Sequence, residues 1–175
     1  DPIDGTHSFI SGVPTFATLI GLTRNGKPVL GLLDQPIARE RWVGANGITT
    51  LNGQAISANP GVRSVSEASL FSWGIELLYS DLGDDYQKLL DGVARKRFGY
   101  DSYAYGLLAH GFIDIVADFD MKPFDYCALV PIVENAGGAI SDWDGNPLTL
   151  TNPGYVLASG NETLHKDALA HLAGS

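Results

Sequence analysis

Three Asn-Gly pairs, Asn25-Gly26, Asn46-Gly47 and Asn52-Gly53, punctuate the early part of the chain. Asn-Gly is the strongest short signal for a two-residue β-hairpin. A type I′ turn needs positive φ at both turn residues, and these two residue types tolerate it. The flanking segments are apolar and strand-like: "TFATLIGL" and "PVLGLLD" around the first pair, then "RERWVGA" and "ITTLNGQAI". Short strands joined this tightly pair with their neighbours in sequence, so the first half is predicted to be an antiparallel meander.

Beyond Ser64 the pattern changes to alternation. "ASLFSWGI" reads as a buried strand, "DDYQKLLDGVA" as an amphipathic helix, and "DSYAYGLLAHG" as a helix stopped by Gly111. "FIDIVAD" follows as a strand and "FDYCALVPIVENAGG" as a third helix, with Ala128, Leu129, Ile132, Val133 and Ala136 on one face. Pro131 is expected to kink that helix or to confine its first turn to the N-terminal side of the proline, and Gly137-Gly138 to end it. "YVLAS" is a late strand and "NETLHKDALAHLAG" a closing helix. A β-rich opening followed by alternating strands and helices predicts a layered α/β architecture. Repeats, low-complexity tracts and linkers are lacking, so 175 residues are read as one domain with a core of ordinary size.

A net charge of −9 argues against nucleic acid as a partner, because a phosphate backbone needs a basic face. No apolar run approaches the roughly 18 residues that span a bilayer, so no membrane partner is expected. The chain opens at Asp1 without a methionine or basic leader. The single Cys127 excludes an internal disulfide and fits a reducing compartment, and the cytoplasm is the expected location.

The densest chemistry is the opening "DPIDGTHSF". Pro2 stiffens the backbone, so Asp1 and Asp4 can turn their carboxylates toward one point. Gly5 allows close backbone approach, and Thr6 begins a possible helix whose free N–H groups suit a phosphate. Asp125 stands at the start of the third helix, where an N-cap role is the plain expectation. Clustered carboxylates repel unless a cation joins them, and hard oxygen donors beside a phosphate site suit Mg²⁺.

"DPIDGT" followed far downstream by "DYCALVPIVENAGG" resembles the paired signature of the inositol monophosphatase family. "FATLIGL", "GLLDQPI" and "LLAHGFIDIVAD" extend the likeness through the chain. The "KPFDY" segment, where many relatives carry a tryptophan before the aspartate, is most similar to the histidinol-phosphate phosphatases of that family. The resemblance implies an α/β fold, a layered αβαβα sandwich lacking its N-terminal helical segment, with residues 1–175 forming the C-terminal two-thirds of the phosphatase domain. It implies a Mg²⁺-dependent phosphomonoesterase in which a metal-activated water attacks the phosphate in line. Asp1 would bridge metal ions, the Ile3 carbonyl would ligate one of them, and Asp4 and Asp125 would complete a second. Gly5 and Thr6 would present N–H groups to the phosphate, and the Thr6 hydroxyl would orient the water, which makes Asp1, Asp4 and Thr6 the catalytic set. Asp4, Gly99, Asp101, Asp118 and Asp125 would contact substrate. Asp118 departs from the glutamate common in relatives. The substrate implied is a small phosphorylated alcohol, histidinol phosphate first and inositol or other sugar phosphates next, and the assembly implied is a homodimer. The family also carries a glutamate-rich metal motif upstream of "DPIDGT". The chain opens after that position, so this fragment is expected to bind metal poorly and to turn over slowly or not at all.

Rival chemistries fit less well. Haloacid-dehalogenase-type phosphatases need a DxD spacing, which Pro2-Ile3 between the aspartates breaks. His7, His110, His165 and His171 lack zinc-site spacing, and no G-x-S-x-G turn supports a serine hydrolase. A module that holds a phosphorylated ligand without hydrolysing it is the non-enzyme alternative. Tyr100, Tyr103 and Tyr105 are read as core or cleft-wall rings, with one free to stack on an imidazole, and Arg95 to Arg97 as a solvated face.

Overall fold

All three Asn-Gly pairs occupy hairpin tips with positive φ at both residues: 52° and 76° at Asn25-Gly26, 53° and 81° at Asn46-Gly47, 50° and 84° at Asn52-Gly53. In the computed structural model, which describes residues 1–79 and 83–173, these turns link β1 (Thr18–Arg24) to β2 (Lys27–Gln35), β3 (Glu40–Ala45) to β4 (Ile48–Leu51), and β4 to β5 (Gln54–Ile56). The result is a five-stranded antiparallel sheet in the order β1-β2-β3-β4-β5, the meander read from the turns.

A second sheet is built from β6 (Ser69–Ser72), β7 (Arg95–Phe98), β8 (Ile115–Asp118), β9 (Ala139–Ser141) and β10 (Val156–Ser159), in the order β7-β6-β8-β10-β9. β6 runs parallel to both β7 and β8, whereas β10 is antiparallel to β8 and β9. Arg95–Arg97 thus form an edge strand and not merely a solvated face. Arg95 and Arg97 remain exposed, while Lys96 Nζ donates to the Leu90 carbonyl at 2.6 Å. An edge strand can carry charge on its open side, which is why the basic run hid it from a hydrophobicity pattern.

Among the described residues, five α-helices complete the fold: α1 (Thr6–Ser11), α2 (Gly83–Gly92), α3 (Tyr103–Ala109), α4 (Pro123–Asn135) and α5 (Glu162–Leu172). Helices α3 and α4 contact each other between the sheets, α4 against β1, β2 and β3, and α3 against β8. Helices α2 and α5 pair on the far side of the second sheet. One apolar cluster, including Leu33, Trp42, Tyr105, Tyr126 and Ile132, fills the space between the sheets, and a second, including Leu70, Tyr86, Leu89 and Leu157, lies under α2 and α5. The layers run sheet, helices, sheet, helices. Gly174, the last residue of the closing segment, lies outside the described residues.

Two features of α4 bear on how it is seated. It runs through Pro131 without ending, although proline removes the N–H that would bond the Cys127 carbonyl. Every residue from Tyr126 to Val133 is buried, so packing on both faces offsets the missing bond. The second feature explains how close the helix comes. Gly21, Gly31 and Gly44 are direct partners across β1, β2 and β3. A Cβ added at Gly21 would fall 2.9 Å from the Ala128 nitrogen, and one at Gly31 would fall 2.8 Å from the Ala128 carbonyl carbon and closer still to its oxygen. One at Gly44 would meet the backbone at Pro131 and Ile132. The backbone of α4 therefore rests on a bare row of strand backbone.

Candidate active site

That close seating brings the first turn of α4 to the chain's opening residues. Asp4 exchanges backbone hydrogen bonds with Ala17 at 2.8 and 3.1 Å, and Leu19 N–H donates to the Asp1 carbonyl at 2.7 Å, which ties residues 1–4 to the entry of β1. Asp1 Oδ1 accepts from the Ile3 N–H at 2.8 Å, an Asx turn that points the side chain back over its own loop. Asp1, Asp4 and Asp125 each offer a carboxylate oxygen, and these atoms lie within 4.8 Å of one another. Asp125 is the third residue of α4 and not its N-cap: its carboxylate accepts from the Lys122 N–H at 2.8 Å.

Burial dominates the electrostatics of Asp4 and Asp125. Burial pushes the Asp4 carboxyl above its usual range, opposed by hydrogen bonding to Ser102, with the Asp101 charge adding to the rise. Burial likewise raises Asp125, against the Lys122 hydrogen bond and with help from Asp4. Such a set is stable in its charged form only beside a cation. Hard carboxylate oxygens at this spacing, with the Ile3 carbonyl receiving the Thr6 hydroxyl at 3.3 Å, fit an ion such as Mg²⁺.

Gly5, at φ 76°, turns the chain into α1, whose opening turn has no side-chain cap. Its missing Cβ leaves room for Asp101, whose Cγ would lie 2.7 Å from any such carbon. Asp101 Oδ2 accepts from the hydroxyls of Ser8 and Thr15, both at 2.6 Å, and so ties α1 and the following loop to the segment before α3. Ser102 donates its N–H to Asp4 Oδ2 at 3.0 Å, a role the sequence did not suggest.

Asp1, Asp4, Gly5, Thr6, Gly99, Asp101, Asp118 and Asp125 line one cleft of about 670 Å³. Gly99 immediately follows β7, Asp118 ends β8, and Trp73 follows β6, so three parallel strands present their carboxyl ends to it. That is where open α/β sheets bind ligands. Asp118 is 2% exposed, accepts from the Trp73 N–H at 2.9 Å, and is pushed up to about 7 chiefly by burial. Trp73, Phe119, Phe124 and Glu76 line the same cleft and escaped the sequence reading. Tyr103 does not reach it: its hydroxyl donates to Glu40 at 2.7 Å and its ring packs edge-on against Trp42.

Fold and cleft together define a layered α/β protein with an acidic, cation-seeking site at the carboxyl ends of parallel strands. Residues 1–175 match the inositol monophosphatase family. The chain is 44% identical over 180 residues to the bifunctional phosphatase IMPL2, chloroplastic, of Arabidopsis thaliana, covering 98% of this chain and 52% of that protein. It is 34% identical over 179 residues to a histidinol-phosphatase of Mycobacterium tuberculosis, covering 98% of this chain and 67% of that protein. An inositol monophosphatase from Zymomonas mobilis superposes with a TM-score of 0.95 at 39% identity, over 99% of this chain and 68% of that one. The chain belongs to the inositol monophosphatase family, and it spans about half to two-thirds of the length of these relatives.

Proposed function

We propose that the protein is a Mg²⁺-dependent phosphomonoesterase for a small phosphorylated alcohol, with L-histidinol phosphate as favoured substrate ahead of inositol phosphates and other sugar phosphates. The observation that carries this reading is the convergence of Asp1, Asp4 and Asp125, with ligand atoms within 4.8 Å. Relatives named histidinol-phosphatase, from Mycobacterium tuberculosis, Chlorobaculum parvum and Streptomyces coelicolor, support the choice of substrate.

Asp1, Asp4, Asp125 and the Ile3 carbonyl hold the ion in this proposal. Bound Mg²⁺ supplies positive charge to the phosphate and lowers the pKa of water at the site. Asp4 keeps its orientation through the Ser102 N–H and Asp125 through the Lys122 N–H. The Gly5 and Thr6 N–H groups receive phosphate oxygens, and the Thr6 hydroxyl, held by the Ile3 carbonyl, orients the attacking water. Gly99 and Asp118 stand on the leaving-alcohol side, and Asp101 frames that side by fixing α1. The proposed assembly is a homodimer, as the family resemblance implies. The proposed location is the cytoplasm, in keeping with the single buried thiol of Cys127.

The test is phosphate release from L-histidinol phosphate and inositol 1-phosphate with and without Mg²⁺, in the wild type and in Asp125→Asn. The variant loses one charged ligand and almost no volume, so its activity should fall by orders of magnitude while its fold persists. Full activity in the variant would overturn the ligand assignment, and a preference for inositol 1-phosphate would overturn the substrate.

A further inference from the structure

Two aromatic rings stand at the strand ends that open into the cleft. Trp73 follows β6 and Phe119 follows β8, and their ring centroids lie 4.8 Å apart with planes tilted by 33°. Trp73 is fixed at both ends: its backbone N–H donates to Asp118 Oδ1 at 2.9 Å and its indole N–H to the Phe119 carbonyl at 3.2 Å. A ring anchored in this way is expected to be covered, yet Trp73 is 37% exposed and faces the cleft that holds Asp1, Asp4 and Asp125. Glu76, three residues on, lines the same cleft.

The groups that the sequence offered for a cationic, flat alcohol are otherwise engaged. Asp101 Oδ2 already accepts two hydroxyls, and Tyr103 lies against Trp42 with its hydroxyl on Glu40. Asp118 is buried and accepts from the Trp73 N–H. A preset indole face with carboxylates nearby suits a ligand that is both flat and positively charged, because stacking and cation–π attraction act on the same face. A neutral aliphatic polyol gains much less from it.

We propose that Trp73 is a specificity-determining residue: its exposed face, backed by Phe119, receives the flat ring of the substrate alcohol, with the Glu76 carboxylate supplying negative charge to the alcohol's cationic amine. Asp118 then acts through Trp73 as a positioning residue. This inference rests on the phosphomonoesterase reading and assigns the alcohol end of that site.

The test compares kcat and KM for L-histidinol phosphate and glycerol 2-phosphate, both with Mg²⁺, in wild type, Trp73→Leu and Trp73→Phe. Trp73→Leu should lose about tenfold in kcat/KM on histidinol phosphate, mainly through KM, and stay within about twofold on glycerol 2-phosphate. Trp73→Phe should recover most of the loss. Equal losses on both esters, or none on either, would overturn the inference. A binding readout separates it from the activity: L-histidinol should quench tryptophan emission in the wild type, and Trp73→Phe, which keeps Trp42 and Trp143, should abolish that change. Hydrolysis of glycerol 2-phosphate without a Trp73-dependent quench overturns the ring site and spares the phosphatase reading. A Trp73-dependent quench without hydrolysis of either ester does the reverse, and absence of both signals overturns both.

Discussion

Gly31→Ala adds a single methyl group where the structure has no room for one. The new carbon would stand 2.8 Å from the Ala128 carbonyl carbon and nearer its oxygen, against helix backbone and with no flexible side chain to yield. Restoring ordinary contact requires α4 and β2 to part by roughly 1 Å or more. On its other side α4 is packed against α3, and its residues from Tyr126 to Val133 are buried, so the displacement spreads into the core. Overpacking of this kind costs about 1–3 kcal/mol, and backbone-on-backbone contact places it near the upper end. At about 2–4 °C per kcal/mol for a chain of this size, melting should fall by about 6–12 °C. Asp125 rides on the first turn of α4 and moves with it. Mg²⁺ demands oxygen ligands at about 2.0–2.1 Å in near-ideal geometry, so its affinity should drop by about tenfold or more. Thermal unfolding without metal and a calorimetric Mg²⁺ titration measure the two effects. Gly61→Ala is the control, since its added carbon would meet only the Asn59 side chain. A Gly31→Ala protein that melts within about 2 °C of wild type with unchanged Mg²⁺ affinity would refute the seating argument.

Two further outcomes concern pH. His165 is buried between the hydroxyls of Ser141 and Ser159, and burial lowers its pKa from 6.5 to about 4. The unfolded chain takes up a proton that the native ring refuses. The stability tied to neutral His165 is therefore whole above about 6.5 and is lost as pH falls toward 4, a total of about 3 kcal/mol. Urea unfolding across that window should show a drop that His165→Gln lessens, and identical profiles would refute it. Asp118 behaves oppositely: burial raises its carboxyl from 3.8 to about 7, so the native state holds a proton there that the unfolded chain has released. Its contribution is present below about 3.8 and is lost as pH rises through about 7. Asp118→Asn, measured in a chelator, should flatten that decline while still accepting from the Trp73 N–H, and an unchanged decline would refute the assignment.

The meander was legible because local chemistry decides it: Asn-Gly reverses the chain wherever it stands, so register follows. The likeness to a family brought Asp1, Asp4 and Asp125 together, and the fold explains why they meet. The row of Gly21, Gly31 and Gly44 was not legible, because it exists only once three strands are in register; along the chain the three residues look unrelated. The aromatic wall was hidden for a similar reason. Trp73 reads as the tail of a buried strand, and only the parallel order β7-β6-β8 shows that the residues after β6 and β8 face one cleft. The N-cap expectation for Asp125 failed by three positions, since Pro123 opens the helix and leaves Asp125 to bond back to Lys122.

The distance along the chain between the groups of the acidic cleft has a kinetic meaning. Ser102 meets Asp4 across 98 positions, and Asp125 arrives from further still. Closing so large a loop is entropically slow and follows local hairpin formation. A cation thus finds no chelating set on the partly folded chain and cannot nucleate it. It acts as a latch on a finished molecule, lengthening the life of the native state and leaving the speed of its assembly to the hairpins and the helices.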